Sequence, residues 1–168
     1  SKITSGNIKL ECMKLDFTEL VLQTSAEYEE KFEERNLTEI QHLPKEKALV
    51  YIDGRRTWRI LANLYNNAAK YAMTGSRIYT DLKVTEGAVI FSIKNISEQP
   101  LNINADQLTE RFIRGDISRS TEGSGLGLSI AQTLTEMQKG KFELYLDGDL
   151  FKATVTFPKV QEEQSTQI

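Results

Sequence analysis

The sequence predicts a two-layer α/β sandwich of the α+β class, in which a mixed sheet of about five strands is covered on one face by about three helices. Two observations lead to this prediction. Segments that alternate between apolar and polar residues are interspersed with segments whose apolar residues recur every three or four positions, as strands and amphipathic helices require. The chain also has 168 residues, 39% of them hydrophobic, which is enough for one domain with its own core.

The first half of the chain predicts two helices separated by two strands. Asp16 is expected to be the N-cap of the first helix, with Glu19 completing a capping box, and this helix is expected to end near Asn36. Asp53 is expected to cap the second helix, which should stop before Gly75. The predicted strands cover residues 37–43 and 48–52, and the predicted core face of the first helix comprises Phe17, Leu20, Val21, Tyr28 and Phe32.

The second half of the chain predicts two hairpins with helices between them. The predicted elements are a hairpin of residues 78–84 and 89–94, a short helix of residues 106–112, a loop over residues 113–123, a helix from about residue 126, and strands at residues 141–146 and 151–157. The loop is expected to close as a lid. The aromatic residues predicted to pack in the core are Trp58, Phe91, Phe142, Phe151 and Phe157.

The segment RILANLYNNAAKYA, residues 59–72, predicts a helix with an unusual polar face. Its apolar arc comprises Ile60, Leu61, Leu64, Ala68 and Tyr71, and the adjoining arc comprises Asn63, Asn66, Asn67 and Lys70. Asparagine is a poor helix former, and these asparagines cost up to roughly 2 kcal/mol relative to alanine, so another benefit should offset that cost. Amide oxygens bind hard cations, which predicts Asn67 as an Mg²⁺ ligand, Asn63 as its neighbour one turn earlier and Lys70 as a phosphate contact. The alternative is a polar stripe without function.

The segment ERFIRGDISRSTEGSGLGLSIAQTL, residues 110–134, predicts a phosphate-binding turn. Gly123, Gly125 and Gly127 come directly before a run with helical spacing, and a glycine-rich helix entry leaves backbone N–H groups exposed at the positive end of the helix dipole. The glycine spacing is neither that of the dinucleotide fingerprint nor that of a P-loop. Positive side chains lie just upstream in a chain of net charge −3, namely Arg111, Arg114 and Arg119. Surface ion pairing, for example with Asp116, is the alternative for at least one of them.

Together the two segments resemble the motifs of the GHKL superfamily. The asparagine segment resembles the N box, and FIRGD followed by GSGLGLSIA resembles the F box and second glycine box of sensor histidine kinases, most like those of low-GC Gram-positive bacteria. The resemblance covers residues 10–158 and implies a Bergerat fold that uses ATP and Mg²⁺ to phosphorylate a histidine on a helical dimerisation domain. Residues 1–10 would then remain from that domain's last helix, residues 11–158 would form the catalytic ATP-binding domain, and residues 159–168 would be a disordered tail.

The resemblance also implies roles for individual residues. Asn67 matches the Mg²⁺-binding asparagine and Asn63 matches the asparagine one turn before it. Lys70 and Tyr71 match the phosphate- and nucleotide-contacting pair, and Arg114 matches the F-box arginine near the γ-phosphate. The implied catalytic residues are therefore Asn63, Asn67, Lys70 and Arg114, with Asn67 as the metal ligand. The implied phosphate-cradling segment comprises Gly123, Ser124, Gly125, Leu126 and Gly127.

The first glycine box of the family, Asp-x-Gly-x-Gly, is altered in this chain. At the corresponding place the sequence reads Asn-Ile-Ser-Glu-Gln, so Asn95 replaces the aspartate that accepts a hydrogen bond from the exocyclic amine of adenine. An asparagine oxygen still accepts that bond, but a neutral acceptor is weaker than a carboxylate by about 1 kcal/mol. Reduced base selectivity is therefore expected, and a degenerate nucleotide-binding module that has lost catalysis stays an alternative function.

The position four residues before the metal-binding asparagine separates kinases from hydrolases in this superfamily. ATP-hydrolysing members carry a glutamate there as general base toward water, whereas this chain carries Asn63, whose amide cannot accept a proton. A histidine acceptor attacks through a nitrogen lone pair and depends mainly on positioning and charge neutralisation. The sequence thus favours a protein-histidine kinase over an ATPase. A serine kinase of the anti-sigma type, which shares the fold, is a further alternative.

The remaining composition bears on partners and location. The only histidine, His42, lies in a predicted strand without the helical context of an acceptor, so the acceptor is expected on the absent dimerisation domain of a homodimeric kinase, with a response regulator as a second partner. Mild acidity argues against nucleic acid. A single cysteine, Cys12, suits a reducing cytoplasm. No apolar run approaches ~20 residues, so any membrane anchor of the expected cytoplasmic domain would lie in segments outside this chain.

Overall fold

The computed structural model describes residues 8–101 and 126–161 of the chain. The elements of this part, in chain order, are β1 (Cys12–Asp16), α1 (Phe17–Glu34), β2 (Thr38–His42), β3 (Leu49–Asp53), α2 (Gly54–Tyr71), β4 (Arg77–Val84), β5 (Ala88–Ile96), α3 (Leu126–Met137), β6 (Lys141–Asp147) and β7 (Leu150–Pro158). The predicted helix at residues 106–112 and the predicted lid at residues 113–123 lie outside the described residues. So does most of the predicted tail.

The strands form one large mixed sheet and one small ribbon. The large sheet has five strands in the order β2-β4-β5-β7-β6, in which β2 pairs parallel to β4 and the other neighbours pair antiparallel. The predicted five-stranded mixed sheet is confirmed. The ribbon pairs β1 antiparallel to β3, and β1 was not predicted. None of its five residues, CMKLD, is buried, and it pairs with β3 only.

The helices cover one face of the large sheet, which confirms the two-layer sandwich. On β5 and β7 alternate residues are buried, and the core-facing residues of these central strands are Val89, Phe91, Ile93, Phe151, Ala153, Val155 and Phe157. The ring of Phe17 from α1 lies 6.1 Å from that of Phe91 on β5, and the ring of Tyr65 from α2 lies 6.5 Å from the same ring. These aromatic contacts join both helices to the centre of the sheet.

Both predicted helix starts are confirmed. The carboxylate of Asp16 accepts a hydrogen bond from the backbone N–H of Thr18 at 3.1 Å and a second from that of Ala48 at 3.0 Å. Asp53 is the N-cap of α2, and its carboxylate accepts a hydrogen bond from the backbone N–H of Arg56 at 3.1 Å. Each cap satisfies an N–H group that the first helical turn leaves without an intrahelical partner.

The prediction that Trp58 packs in the core is wrong. This residue is 36% exposed on the outer side of α2, and its indole N–H donates to a carboxylate oxygen of Glu27 on α1 at 2.7 Å. An indole N–H needs a hydrogen-bond partner, and the position between two helices at the surface provides one. The other predicted core aromatics, Phe91, Phe142, Phe151 and Phe157, are buried.

Two further sequence expectations concern His42 and membrane insertion. His42 lies on β2, as predicted, and its side chain is largely exposed, with Nδ1 2.6 Å from an oxygen of Asp81 on β4. Among the helices in residues 8–101 and 126–161, none combines the length and apolar character that a membrane crossing requires.

Gly140, between α3 and β6, offers a test of the packing of the core. A Cβ atom built at this position would lie 2.6 Å from the ring of Phe157 and 2.9 Å from Cγ2 of Thr135. Because neither neighbour is the end of a flexible chain, we expect Gly140→Ala to lower the free energy of unfolding by about 1–3 kcal/mol. Urea denaturation measures this. Gly87→Ala is the matched control, since a Cβ there meets nothing within 4 Å; equal effects of the two variants would contradict the prediction.

Candidate functional site

The asparagine helix α2 is the centre of the candidate site, and its start is held by the buried N-cap Asp53. The second carboxylate oxygen of Asp53 accepts a hydrogen bond from the backbone N–H of Glu11 at 2.8 Å. The backbone N–H of Asp53 itself donates to the side-chain oxygen of buried Gln138 at 2.7 Å, just after α3. One residue thereby connects the ribbon, the start of α2 and the end of α3.

The environment of Asp53 favours its charged form. Burial raises the pKa of the carboxyl, but hydrogen bonds from the backbone N–H groups of Glu11 and Arg56, together with the positive charge of Arg56, outweigh burial and hold the pKa below its usual value of 3.8. A negative charge at this place also interacts favourably with the helix dipole. The carboxylate therefore stabilises α2 in its charged state.

The side chains of α2 divide into two faces as predicted, except for Tyr71. The buried face includes Ile60, Leu61, Leu64, Tyr65, Ala68 and Ala69, whereas Asn63, Asn66, Asn67 and Lys70 are half-buried along one border of it. Tyr71, whose arc borders both the core and the proposed site, is the last residue of α2 and is 43% exposed. The amides thus lie where the core meets solvent, a place that a ligand can reach.

Asn63 and Gly127 meet where α2 packs against the first turn of α3. A Cβ atom added to Gly127 would lie 3.4 Å from Oδ1 of Asn63 and 3.7 Å from its Cβ, so the two helices approach closely at this point. The Nδ2 atom of Asn63 is buried and has no hydrogen-bond partner in the described part of the chain. A buried donor without a partner costs about 1–3 kcal/mol, which a ligand atom would recover on binding. The structure therefore brings the asparagine helix and the first turn of α3 together at Gly127.

Lys70 and Tyr71 extend this site toward the end of α2. The Nζ atom of Lys70 lies 5.7 Å from the centre of the Tyr71 ring, and Tyr71 is partly exposed. Leu126, the first residue of α3, is 39% exposed. Arg114, Gly123, Ser124 and Gly125 lie outside the described residues, together with Arg111 and Arg119.

Asn95 lies next to the C-terminal end of α2. It is only 4% exposed and occupies the helix-covered face of β5, in alternation with core residues Phe91 and Ile93. Two residues later the strand meets the end of the helix, where Ala72 forms an isolated antiparallel bridge with Ser97. The position predicted to contact the base is thus beside the end of α2 that carries Lys70 and Tyr71.

The altered glycine box is ordered by its own side chains. The hydroxyl of Ser97 donates to the carbonyl of Gln99 at 2.6 Å and accepts from the backbone N–H of Gln99 at 3.3 Å. The glycine box that the sequence resembles would have glycine at both of these positions. Here a local hydrogen-bonded turn replaces the glycines.

Glu39 and Tyr65 fix the orientation of α2 on the sheet, and neither was predicted as part of the site. One carboxylate oxygen of Glu39 accepts hydrogen bonds from Tyr65 and Thr80, both at 2.7 Å, and the other accepts from Ser25 at 2.7 Å. Burial raises the pKa of Tyr65 far above its usual value, and the charge of Glu39 raises it further, so the hydroxyl stays a donor. Tyr65 belongs to the recognised motif, but no local pattern points to Glu39, because its partners are distant in sequence.

Acidic and thiol ligands do not form a metal site in the part of the chain that the structure describes. No group of three or more His, Cys, Asp or Glu side chains that could hold a metal ion occurs within residues 8–101 and 126–161. Metal binding at the α2 border would instead use an amide oxygen supplemented by phosphate oxygens and water, which is the mode that Mg²⁺ commonly adopts. Asn67, which is half-buried on this border, carries such an amide oxygen.

Comparison with protein families identifies the class of the chain. Residues 52–165 match the family model described as histidine kinase-, DNA gyrase B-, and HSP90-like ATPase, and this match covers more than half of the chain. The chain therefore belongs to this family of ATP-binding domains. The match begins at the end of β3 and includes the whole of α2 and α3.

The similar proteins named by the other comparisons are histidine kinases. The histidine protein kinase SaeS of Staphylococcus aureus is 31% identical over 156 residues, which are 89% of this chain and 44% of SaeS. The nucleotide-free catalytic domain of histidine kinase ThkA superimposes with a TM-score of 0.77 at 24% identity, covering 89% of this chain and 97% of that domain. A complex of ThkA with the response regulator protein TrrA matches with a TM-score of 0.72 at 22% identity, covering 90% of this chain and 42% of that one.

Over most of its length the chain is similar to the ATP-binding catalytic domains of sensor histidine kinases, as the sequence resemblance implied. The similarity to SaeS agrees with the expected Gram-positive affinity. The chain spans less than half the length of the curated relatives it matches, from 16% to 44% for the first five. The activity and partners of a whole kinase are therefore a matter of proposal.

Asp53 gives a pH-dependent test of how α2 is held. Because its folded-state pKa is lowered, its charge stabilises the fold above the unfolded-state pKa, and this stabilisation is lost as the pH falls through the folded-state value. We expect Asp53→Asn to lower the free energy of unfolding by about 1 kcal/mol at pH 7, and this deficit should shrink as the pH falls below the unfolded-state pKa and through the lowered folded-state pKa. Urea titrations at a series of pH values measure the difference. Asp147→Asn, in the exposed β6–β7 turn, is the control; a constant deficit of Asp53→Asn at all pH values would contradict the assignment.

Proposed function

We propose that this domain binds Mg²⁺-ATP and transfers the γ-phosphoryl group to a histidine on the dimerisation domain of its own kinase, from which it passes to a response regulator. The observation that carries this proposal is the contact of Asn63 on α2 with Gly127 on α3. This contact supports the proposal because the amide-lined helix lies beside the first turn of α3, which follows the glycine-rich segment in the sequence, and a polyphosphate with its metal ion would need both.

The described residues fit magnesium as the metal. Asn67 would hold Mg²⁺ through its side-chain oxygen, and bound Mg²⁺ would neutralise charge on the phosphates. The buried, unpartnered Nδ2 of Asn63 one turn earlier is a donor to a phosphate oxygen or a metal-bound water. Both side chains lie on the same border of α2, four residues apart.

The other proposed site residues orient the nucleotide. Lys70 and Tyr71 lie at the end of α2 next to Asn95, so they would contact phosphate and sugar while Asn95 contacts the base. Leu126 and Gly127 begin the helix whose N–H groups would cradle the phosphates, with Gly123, Ser124 and Gly125 before them. Arg114 would neutralise charge at the γ-phosphate.

The identity of residue 63 supports phosphoryl transfer to a histidine rather than to water. An amide cannot remove a proton from water, whereas a neutral imidazole attacks without a base. The residues of this chain would then act by binding, orienting and neutralising charge, which is what phosphoryl transfer mainly requires.

The phosphate acceptor is expected outside this chain. His42 lies on a strand and is paired with Asp81 at 2.6 Å, a setting that differs from an exposed helical acceptor. The partners proposed are the dimerisation domain of a homodimeric, membrane-anchored kinase and its response regulator. The domain would lie in the cytoplasm, where ATP is available. The ThkA complex shows that a histidine kinase with this fold binds a response regulator.

Asn67→Ala tests the proposed metal ligand. We expect this variant to lower the rate of transfer from Mg²⁺-ATP to a separately prepared dimerisation domain of the same kinase by about 100-fold or more, because phosphate charge is no longer neutralised in position. The measurement is acid-labile radiolabel on the acceptor domain. Asn66→Ala, which removes the same side chain from the adjacent residue, is the control and should retain most of the activity.

The product identifies the function class. Acid-stable phosphoserine would support the serine-kinase alternative, and ATP binding without any transfer would support a regulatory module. Fast ATP hydrolysis by the domain alone, abolished in Asn67→Ala, would contradict the role given to Asn63.

Asn95 predicts weak discrimination between bases. An asparagine amide can accept a hydrogen bond from the amine of adenine or, after rotation, donate one to the carbonyl of guanine, whereas aspartate can only accept. We expect Asn95→Asp to strengthen Mg²⁺-ATP binding about five-fold, as 1 kcal/mol implies, and to weaken Mg²⁺-GTP binding. Calorimetric titration of both nucleotides measures the ratio. An unchanged ATP:GTP ratio would remove Asn95 from the base site.

A further inference from the structure

The C-terminal end of α2 has an unusual set of hydrogen-bond partners. The last four carbonyl groups of an α-helix have no intrahelical partner and must find others. In α2 the carbonyl of Ala68 accepts from the N–H of Ala72 at 3.0 Å, and that of Tyr71 accepts from the N–H of Glu98 at 2.8 Å. The two carbonyls between them, of Ala69 and Lys70, accept from one side chain, that of Arg35, at 2.7 and 2.9 Å.

Arg35 reaches this place from the end of another helix. It is the C-cap residue of α1, and its side chain spans from there to the end of α2. Its second terminal nitrogen donates to a carboxylate oxygen of Glu98 at 2.7 Å and to the hydroxyl of Thr74 at 3.1 Å. One guanidinium thus joins the end of α1, the end of α2 and the segment that follows β5, using the planar fork that arginine provides.

Glu98 completes the connection from the other side. Its backbone N–H binds the end of α2, and its carboxylate accepts from Arg35 and from the backbone N–H of Thr74 at 3.3 Å. A further backbone bond runs from the N–H of Met73 to the carbonyl of Ile96 at 2.8 Å. The altered glycine box is therefore attached to the helix end through several bonds at once.

This connection lies between the two halves of the proposed nucleotide site. Lys70 and Tyr71, which would contact phosphate and sugar, are the residues whose carbonyls Arg35 and Glu98 bind. Asn95, which would contact the base, is three residues before Glu98 on the same strand end. These bonds therefore join the helix end that carries Lys70 and Tyr71 to the segment that follows Asn95.

We propose that Arg35 and Glu98 are positioning residues for the nucleotide, which hold the end of α2 at the separation from Asn95 that one ATP molecule spans. This inference rests on the proposed function. The ion pair alone contributes little, because its two side chains are 28% and 45% exposed and screened by water. The positioning effect arises because Arg35 donates hydrogen bonds to two carbonyls at the end of α2. It acts beside the altered glycine box, where a hydrogen-bonded turn replaces the glycines of the family.

A positioning role and a merely stabilising role predict different binding data. When two groups of one ligand bind a rigid site, the second group binds without a further loss of translational and rotational freedom. Loosening the site therefore lowers the affinity for the joined ligand more than the affinities for its separate parts. A residue that only stabilises the fold would leave all ligands equally affected, or unaffected below the melting temperature. The comparison of ATP with its fragments therefore isolates positioning.

The experiment is calorimetric titration of Arg35→Met with Mg²⁺-ATP, adenosine and Mg²⁺-tripolyphosphate, at a temperature where the variant is folded by circular dichroism. Methionine keeps the length and apolar stem of the side chain but removes its donors. We expect the Kd for Mg²⁺-ATP to rise about ten-fold while the Kd values for the two fragments change less than about two-fold. Arg77→Met, which removes an exposed guanidinium at the start of β4, is the control and should alter none of them.

Glu98→Gln keeps the shape of the acceptor and should fold even if Arg35→Met does not. We expect this variant to raise the Kd for Mg²⁺-ATP about two- to three-fold and to leave the Kd values for the two fragments unchanged. Equal losses for ATP and both fragments, or no loss for ATP in folded variants, would overturn the positioning role while leaving nucleotide binding intact. Failure of the unmodified protein to bind Mg²⁺-ATP would instead contradict the proposed function itself, and this inference with it.

Discussion

The packing of α2 between the sheet and α3 is the constraint on which the rest of the site depends. At its start, Asp53 joins α2 to the ribbon and to Gln138 beyond α3. In its middle, Tyr65 is buried against Phe91 and bound to Glu39. These contacts leave helix α2 one orientation, in which its amide-bearing border faces the entry of α3. A small rotation of α2 would turn the same amides into solvent or into the core.

The polar residues of the proposed site lower the stability of α2. Asparagines weaken a helix, and the buried Nδ2 of Asn63 lacks a partner in the part of the chain that the structure describes. Apolar residues on the opposite face, among them Ile60, Leu61 and Leu64, offset this cost through burial. The apolar face of α2 therefore holds the helix in place, and the polar border beside it is available for a ligand. Local sequence preferences are commonly violated at functional sites in this way.

Sequence reasoning found most of the fold because its signals are local. The helix caps at Asp16 and Asp53, the hairpin of β4 and β5, and the turn between β6 and β7 each depend on residues within a few positions of one another. Trp58 was assigned wrongly because helical spacing alone cannot distinguish a core side chain from one that bridges two helices at the surface. Strand β1 was missed although it is as long as the predicted strands β2 and β3; its partner β3 lies in a separate part of the sequence.

The chain's own residues were sufficient to establish the family, the identity of the amide and glycine segments, and the residue types available for magnesium and phosphate, since these are written in short contiguous motifs. Only the tertiary structure decided that Asn63 meets Gly127, that Asn95 lies beside the end of α2, and that Arg35 binds carbonyls 34 and 35 positions away. Such contacts depend on the paths of intervening strands and on side-chain reach across them. Local sequence preferences predict neither the path of a strand nor the partners of a long side chain. The helix propensity of arginine is the same at every position and does not indicate what its side chain contacts.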